Sequence, residues 1–205
     1  MLTERNKVVN LTAIKEPDEI AVKHILDSLL IFKYADFFKN AKVIDVGCGA
    51  GFPSLPMLIA RKDLKMTFLD STAKKLKFIE DSLDDLGLSA TVLHARAEEE
   101  SRNNVSRETY DFAVARAVAN LRSLSELTLP FVKPGGYFIA MKGKEGEEEL
   151  ESAKNAIKEL GGKTESLNSF TLPDSSARTV IVIKKLSQTP TKYPRSSTAI
   201  SKKPL

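Results

Sequence analysis

Three glycines at alternate positions, Gly47, Gly49 and Gly51, follow the apolar run Lys42–Val46 and lead into a second apolar stretch that begins at Phe52. Glycine permits backbone angles closed to other residues and lets a ligand touch the main chain. A strand-to-helix turn of this composition is therefore a place for a nucleoside cofactor. Dinucleotide sites use the spacing Gly-x-Gly-x-x-Gly, whose last glycine lets helix and strand pack closely. Here the spacing is Gly-x-Gly-x-Gly, an acid, Asp45, stands two positions before the first glycine, and Phe52 occupies the place of the last dinucleotide glycine. A bulky ring there argues against a pyrophosphate and for S-adenosylmethionine, whose amino-acid end has no phosphate to cradle.

Asp70 lies nineteen residues after Gly51, at the end of the next apolar run. A carboxylate in that place can accept both ribose hydroxyls, in nicotinamide and adenosylmethionine sites alike. The competing reading is a cap for the following helix at Ser71–Thr72, and the two roles are compatible. Ala97 and Glu98 follow a third apolar run, where an adenine ring would lie, a backbone N–H reaching a ring nitrogen and the carboxylate accepting from the amine. Against that, Glu98-Glu99-Glu100 also reads as a solvated acidic run. Arg116, after a fourth run, can orient the cofactor or bind a phosphate, or make an ion pair at a helix start. Cys48, between two glycines, reads as a small packing residue, and His24 has no partner ligands for a metal.

These residues need a frame. Apolar positions from Ile20 to Phe37 predict a helix over residues 17–39. Strands are expected at 42–46, 65–70, 90–94, 112–115 and 137–141, with helices over 53–61, 72–87, 120–130 and 145–160 and a turn at Lys133–Gly136. Two last strands, near 165–172 and 179–185, are joined by a turn at Pro173–Ser176 with no helix between them. The expected fold is α/β: a Rossmann-like class I methyltransferase domain over residues 1–187. Its seven-stranded sheet is mostly parallel, with an antiparallel edge hairpin and helices on both faces.

Composition sets the outer limits. A chain of 205 residues, 42% hydrophobic and 28% charged, has the make-up of a soluble globular protein. No run reaches the roughly 18 apolar residues of a membrane span, and the N-terminus lacks the apolar region of a signal peptide. One cysteine excludes an internal disulfide and fits the cytoplasm. Residues 184–205 carry six basic and no acidic residues, so the rest of a chain with net charge +4 stands at about −2. Residues 188–205, rich in proline, serine and lysine, read as a flexible basic tail able to meet phosphates.

Taken together the chain resembles the bacterial small-subunit rRNA guanine-N7 methyltransferases, formerly called glucose-inhibited division protein B. The resemblance is carried by Asn10-Leu11-Thr12, His24-Ile25-Leu26-Asp27-Ser28, the turn Asp45 to Pro53, Leu69-Asp70-Ser71, Arg96-Ala97-Glu98, Ala115-Arg116-Ala117, Ala140-Met141-Lys142-Gly143 and Thr189 to Arg195. It spans nearly the whole chain. The glycine turn alone marks only the wider methyltransferase group; the His-x-x-Asp-Ser and Ala-Arg-Ala segments are specific to the family.

The resemblance implies methyl transfer from S-adenosylmethionine to N7 of one guanine in 16S rRNA, free or in the small-subunit particle, by a protein that is a monomer without a stable protein partner. It matches Gly47, Phe52, Ala97, Glu98 and Arg116 to cofactor contacts and sets His24, Asp27, Ser28 and Lys142 on the substrate side. Family members carry a longer helical N-terminal region, so residues 1–40 are expected to be a shortened helical cap, with Arg5 where a tryptophan is usual. The competing functions are a small-molecule methyltransferase on the same fold, a nicotinamide-dependent oxidoreductase, which Phe52 disfavours, and a non-enzymatic ribosome-binding protein.

Overall fold

A computed structural model of the chain describes residues 2–9 and 11–205, which leaves Asn10 of the first family segment outside the described residues. Seven strands form one sheet in the order β3-β2-β1-β4-β5-β7-β6. They are β1 (Lys42–Val46), β2 (Lys65–Asp70), β3 (Thr91–His94), β4 (Tyr110–Arg116), β5 (Val132–Lys142), β6 (Gly162–Thr171) and β7 (Ala177–Lys185). The first five run parallel, and β7 pairs antiparallel with both β5 and β6. The seven-stranded, mostly parallel sheet with an antiparallel edge hairpin is the expected fold.

Burial on both faces explains the strand sequences. In β1, Val43 belongs to one apolar cluster and Ile44 and Val46 to the other, because successive side chains leave a strand on opposite faces. One face is covered by α5 (Ser54–Ala60) and α6 (Ala73–Leu86), through Leu55, Met57, Leu58, Leu76, Phe78 and Ile79. The other is covered by α8 (Leu121–Thr128) and α9 (Gly146–Glu159), through Leu121, Leu124, Leu150, Ala153 and Ile157. A short α7 (Ala97–Glu100) follows β3. Strand order reverses between β1 and β4, so the crevice beyond their carboxyl ends is where a ligand is expected. The glycine turn and Arg116 both stand there. No helix among the described residues is long and apolar enough to cross a membrane.

Three expectations are corrected. The single helix over 17–39 is a series: α2 (Pro17–Ile20), a π-helical turn (Ala21–Leu26), α3 (Asp27–Leu29) and α4 (Ile31–Tyr34), preceded by α1 (Leu2–Val9). It stops before Phe37, which is buried in irregular chain against Phe112. The turn Lys133–Gly136 lies inside β5, where the register against β4 shifts and Gly135 takes φ +89°; an irregularity of this kind absorbs extra residues without ending the strand.

The tail is not loose. Thr189, Tyr193 and Ile200 are buried, and α10 (Ser197–Lys202) closes the described chain. Arg107 donates to the carbonyls of Thr189 and Tyr193, and Arg195 pairs with the buried Glu126 at 2.6 Å. Lys185, fully buried, bonds Thr189 and pairs with Glu108 at 3.1 Å.

Candidate active site

The turn between β1 and α5 forms one wall of a cavity of about 450 Å³. Gly47, Gly49, Phe52, Asp70, Ala97, Glu98 and Arg116 all line it, together with Thr12 and His24. The space fits a nucleoside cofactor. A Cβ on Gly49 would meet only the Gly47 carbonyl, 4.0 Å away, and would stand in the cavity. Gly51 is different. It does not line the cavity, and its Cβ would fall 2.7 Å from Ile79 and 3.0 Å from Leu55. Its lack of a side chain lets the turn sit against α5 and α6.

Asp70 ends β2 and is buried. Its Oδ1 accepts from the Thr72 N–H at 2.8 Å and its Oδ2 from the Gly49 N–H at 3.0 Å. One carboxylate thus ties the start of α6 to the glycine turn, and each oxygen keeps a lone pair for a hydroxyl. The capping contact is present, and it leaves room for a ligand hydroxyl. Glu98 and Ala97 come from α7, whose first turn places them on the cavity wall.

The far wall is a polar cluster that no local pattern announces. Arg116 lies over the Phe52 ring, 5.2 Å from its centroid, and His24 stacks on the same ring at 4.4 Å. Arg116 donates to Nδ1 of His24 at 3.1 Å, to the Lys23 carbonyl at 3.1 Å and to Asp27 Oδ2 at 3.2 Å. Guanidinium nitrogens only donate, so His24 Nδ1 accepts and its Nε2 carries the proton, donated to Thr12 Oγ1 at 2.8 Å. Burial and the Arg116 charge lower the His24 pKa to about 4. At neutral pH it is a neutral imidazole with both ring nitrogens engaged. Burial also lowers the Arg116 pKa, opposed chiefly by Asp27 and Asp45.

Behind the turn, Asp45 is 0% exposed and neither oxygen has a hydrogen-bond partner among the described residues. Burial raises its pKa to about 7, with Ser54 and Arg116 pulling the other way; Ser54 is near, but its hydroxyl makes no bond of ordinary geometry. Burial likewise raises the Cys48 thiol far above its usual range, so this cysteine is inert packing.

His24, Arg116, Ala117 and Val118 are common to this cavity and a second one of about 620 Å³. Asp27 and Lys142 line the second chamber, with Asn120, Glu149, Phe170 and Arg178. Lys142 pairs with Glu149 at 2.8 Å and donates to the Ala119 carbonyl. Glu149 also accepts the Leu121 N–H at 2.7 Å, so this pair fixes the loop leading into α8. Ser28 is 0% exposed and donates to the His24 carbonyl. It braces the helix from a buried position. Arg178 and Glu149 escaped sequence reading. Arg178 pairs with Asp27 across 151 positions, and nothing near it in the chain signals that meeting.

With this geometry in place, comparison with known proteins is decisive. Residues 1–179 match the family described as rRNA small subunit methyltransferase G. The chain belongs to this family. A relative from Acetivibrio thermocellus, named ribosomal RNA small subunit methyltransferase G, is 50% identical over 207 residues, covering all of this chain and 85% of that protein. One of the same name from Lactobacillus johnsonii is 47% identical over 208 residues, covering all of this chain and 87% of its own. Among solved structures, a SAM-dependent methyltransferase from Aquifex aeolicus aligns with TM-score 0.62 and 18% identity over 84% of this chain and 96% of that one. The [4+2]-cyclase SpnF aligns with TM-score 0.62 and 14% identity over 78% of this chain and 80% of that one. A cyclase on the same frame means that the fold alone does not decide the chemistry.

Proposed function

We propose that this protein transfers a methyl group from S-adenosylmethionine to N7 of one guanine in 16S rRNA, carried in the small-subunit particle. The observation that carries this reading is the pair of chambers meeting at His24, Arg116, Ala117 and Val118, one walled by the glycine turn and Asp70 and the other large enough for a base. Gly47 and Gly49 give the cofactor access to the main chain, Asp70 accepts its ribose hydroxyls, and Ala97 and Glu98 hold the adenine. Phe52, clamped by His24 and Arg116, closes the wall on the substrate side. Bound S-adenosylmethionine supplies an electrophilic methyl group on a sulfonium.

Guanine N7 has a lone pair and no proton at neutral pH, so the protein needs no general base. Its work is positioning and the placement of negative charge beside a ring that becomes positive. His24, neutral and held by Thr12 and Arg116, has no proton to offer the reaction. N7 lies in the deep major groove of A-form RNA, which side chains do not reach, so the base enters the second chamber from a loop or flipped out of its stack. Residues 1–187 form the methyltransferase domain, and 188–205 strap across it. One chain lines both chambers, in keeping with a single chain as the working unit. The reaction belongs in the cytoplasm, with the rRNA.

The test is incubation with labelled S-adenosylmethionine and small-subunit particles from a strain lacking the gene, followed by mapping of the modified base. Label at N7 of a single 16S guanine is expected. Label in metabolites only, or none in rRNA, refutes the reading.

A further inference from the structure

The least exposed acid in the wall of the second chamber is Asp27, its side chain 3% exposed. Two guanidinium groups hold it from different elements, Arg116 at the end of β4 and Arg178 in β7, at 3.2 and 3.1 Å. Both bonds fall on Oδ2. Oδ1, equally buried, has no hydrogen-bond partner among the described residues. A buried polar atom without a partner calls for an explanation; here one carboxylate oxygen is fixed, and the other, closed to solvent, is an acceptor that only a donor brought in beside it can satisfy.

We infer that Asp27 reads the guanine: its vacant Oδ1 accepts from the N1–H and exocyclic N2 amino edge of the base. This rests on the function proposed above and deepens it. Guanine presents donors on that edge where adenine presents a bare N1 acceptor, so a carboxylate attracts the first and repels the second. The placement also suits the chemistry. As the N7–carbon bond forms and the carbon–sulfur bond breaks, its electron pair stays on sulfur and the ring takes up positive charge, with no proton moved. The ring's N–H groups become stronger donors at that moment, so the bond to Asp27 strengthens on the way to the transition state. Glu149, the other chamber carboxylate with charged neighbours, also takes its bonds from Lys142 and the Leu121 N–H on one oxygen, but at 18% exposure its second oxygen is not a buried atom left without a partner.

The experiment compares reconstituted small-subunit particles that carry guanine or inosine at the target position, inosine lacking only the N2 amino group. Wild-type protein should lose about tenfold or more in kcat/KM on inosine, the size of one hydrogen bond to a charged group. Asp27→Asn, which keeps the shape and an oxygen for the two arginines, should bind S-adenosylmethionine as wild type by calorimetry, methylate guanine particles at least tenfold more slowly, and show no further loss on inosine. An inosine penalty of the same size in the variant overturns the assignment and makes Asp27 a structural residue. Equal wild-type rates on the two particles overturn it as well, without recourse to any variant, and so cover the case in which Asp27→Asn does not fold. Absence of methylation on guanine particles by wild type would instead refute the proposed function and leave Asp27 aside.

Discussion

At the scale of single residues, the site is built from groups whose protonation the fold has displaced in opposite directions. Unfolded histidine titrates near 6.5, and folded His24 near 4. Between those values the unfolded chain binds the extra proton, so His24 removes stability as pH falls. Asp45 does the reverse. Its folded value near 7 lies above that of an ordinary carboxyl, so the folded chain takes up the proton first and gains stability as pH falls from 7 towards 4. The depressed carboxyls Asp63, Asp81 and Asp174 act below that window. In the intact protein the two contributions oppose each other. Thermal melting from pH 7 to 4.5 should therefore separate two variants. His24→Gln should gain in midpoint relative to wild type as pH falls, and Asp45→Asn should lose. Curves parallel to wild type in both would mean that these residues do not titrate in this way.

At the scale of elements, the first turn and the loop after β4 hold each other in place. A Cβ on Gly47 would stand 2.8 Å from Val118 Cγ2, and Gly47 has φ +75°. Gly47→Ala combines a clash with left-handed strain of about 1–2 kcal/mol, and S-adenosylmethionine affinity should fall by about tenfold or more. Adding Val118→Ala should restore part of it, because the clash is relieved and the strain is not. Calorimetry on the two single variants and the double one closes the cycle; a double variant no better than Gly47→Ala would show that the clash is not the cause. The buried parallel strands were readable because both faces are apolar, and α6 and α9 because Gly87 and Gly161 stop them. The π-helical turn over Ala21–Leu26 was not, since its residues have ordinary helical character and only packing against Arg116 distinguishes it.

At the scale of the whole molecule, the balance of charge is altered by where the tail lies. Residues 188–205 read from their composition as a flexible basic tail, yet Arg195 is consumed by Glu126, and Lys185 just before the tail by Glu108. Lys192, Lys202 and Lys203 remain exposed. The anchors Tyr193 and Ile200 are too few to form a pattern, and the tail's partners lie far along the chain, which is why composition alone misled. Binding to the particle should weaken as salt rises, through those lysines and others on the surface, while S-adenosylmethionine binding should change little. Filter binding of particles beside calorimetry at two salt concentrations checks this; equal salt dependence for both ligands would count against a phosphate-facing surface. The glycine turn, Asp70 and Arg116 were found from short-range spacing. Arg178 and the pairing of Asp27 depend on contacts between a helix and two strands far along the chain.

The wall shared by the two chambers has a thermodynamic consequence. Arg116 touches Phe52 and His24 on one side and Asp27 on the other, so an occupant that shifts this fork is felt by the other occupant. Any such coupling is reciprocal: the factor by which bound cofactor tightens the hold on the base is the factor by which the base tightens the hold on cofactor. Methyl transfer removes the positive charge from one chamber and creates it in the other. The same fork therefore meets a different pair of charges afterwards, so the coupling free energy between the products is distinct from that between the reactants.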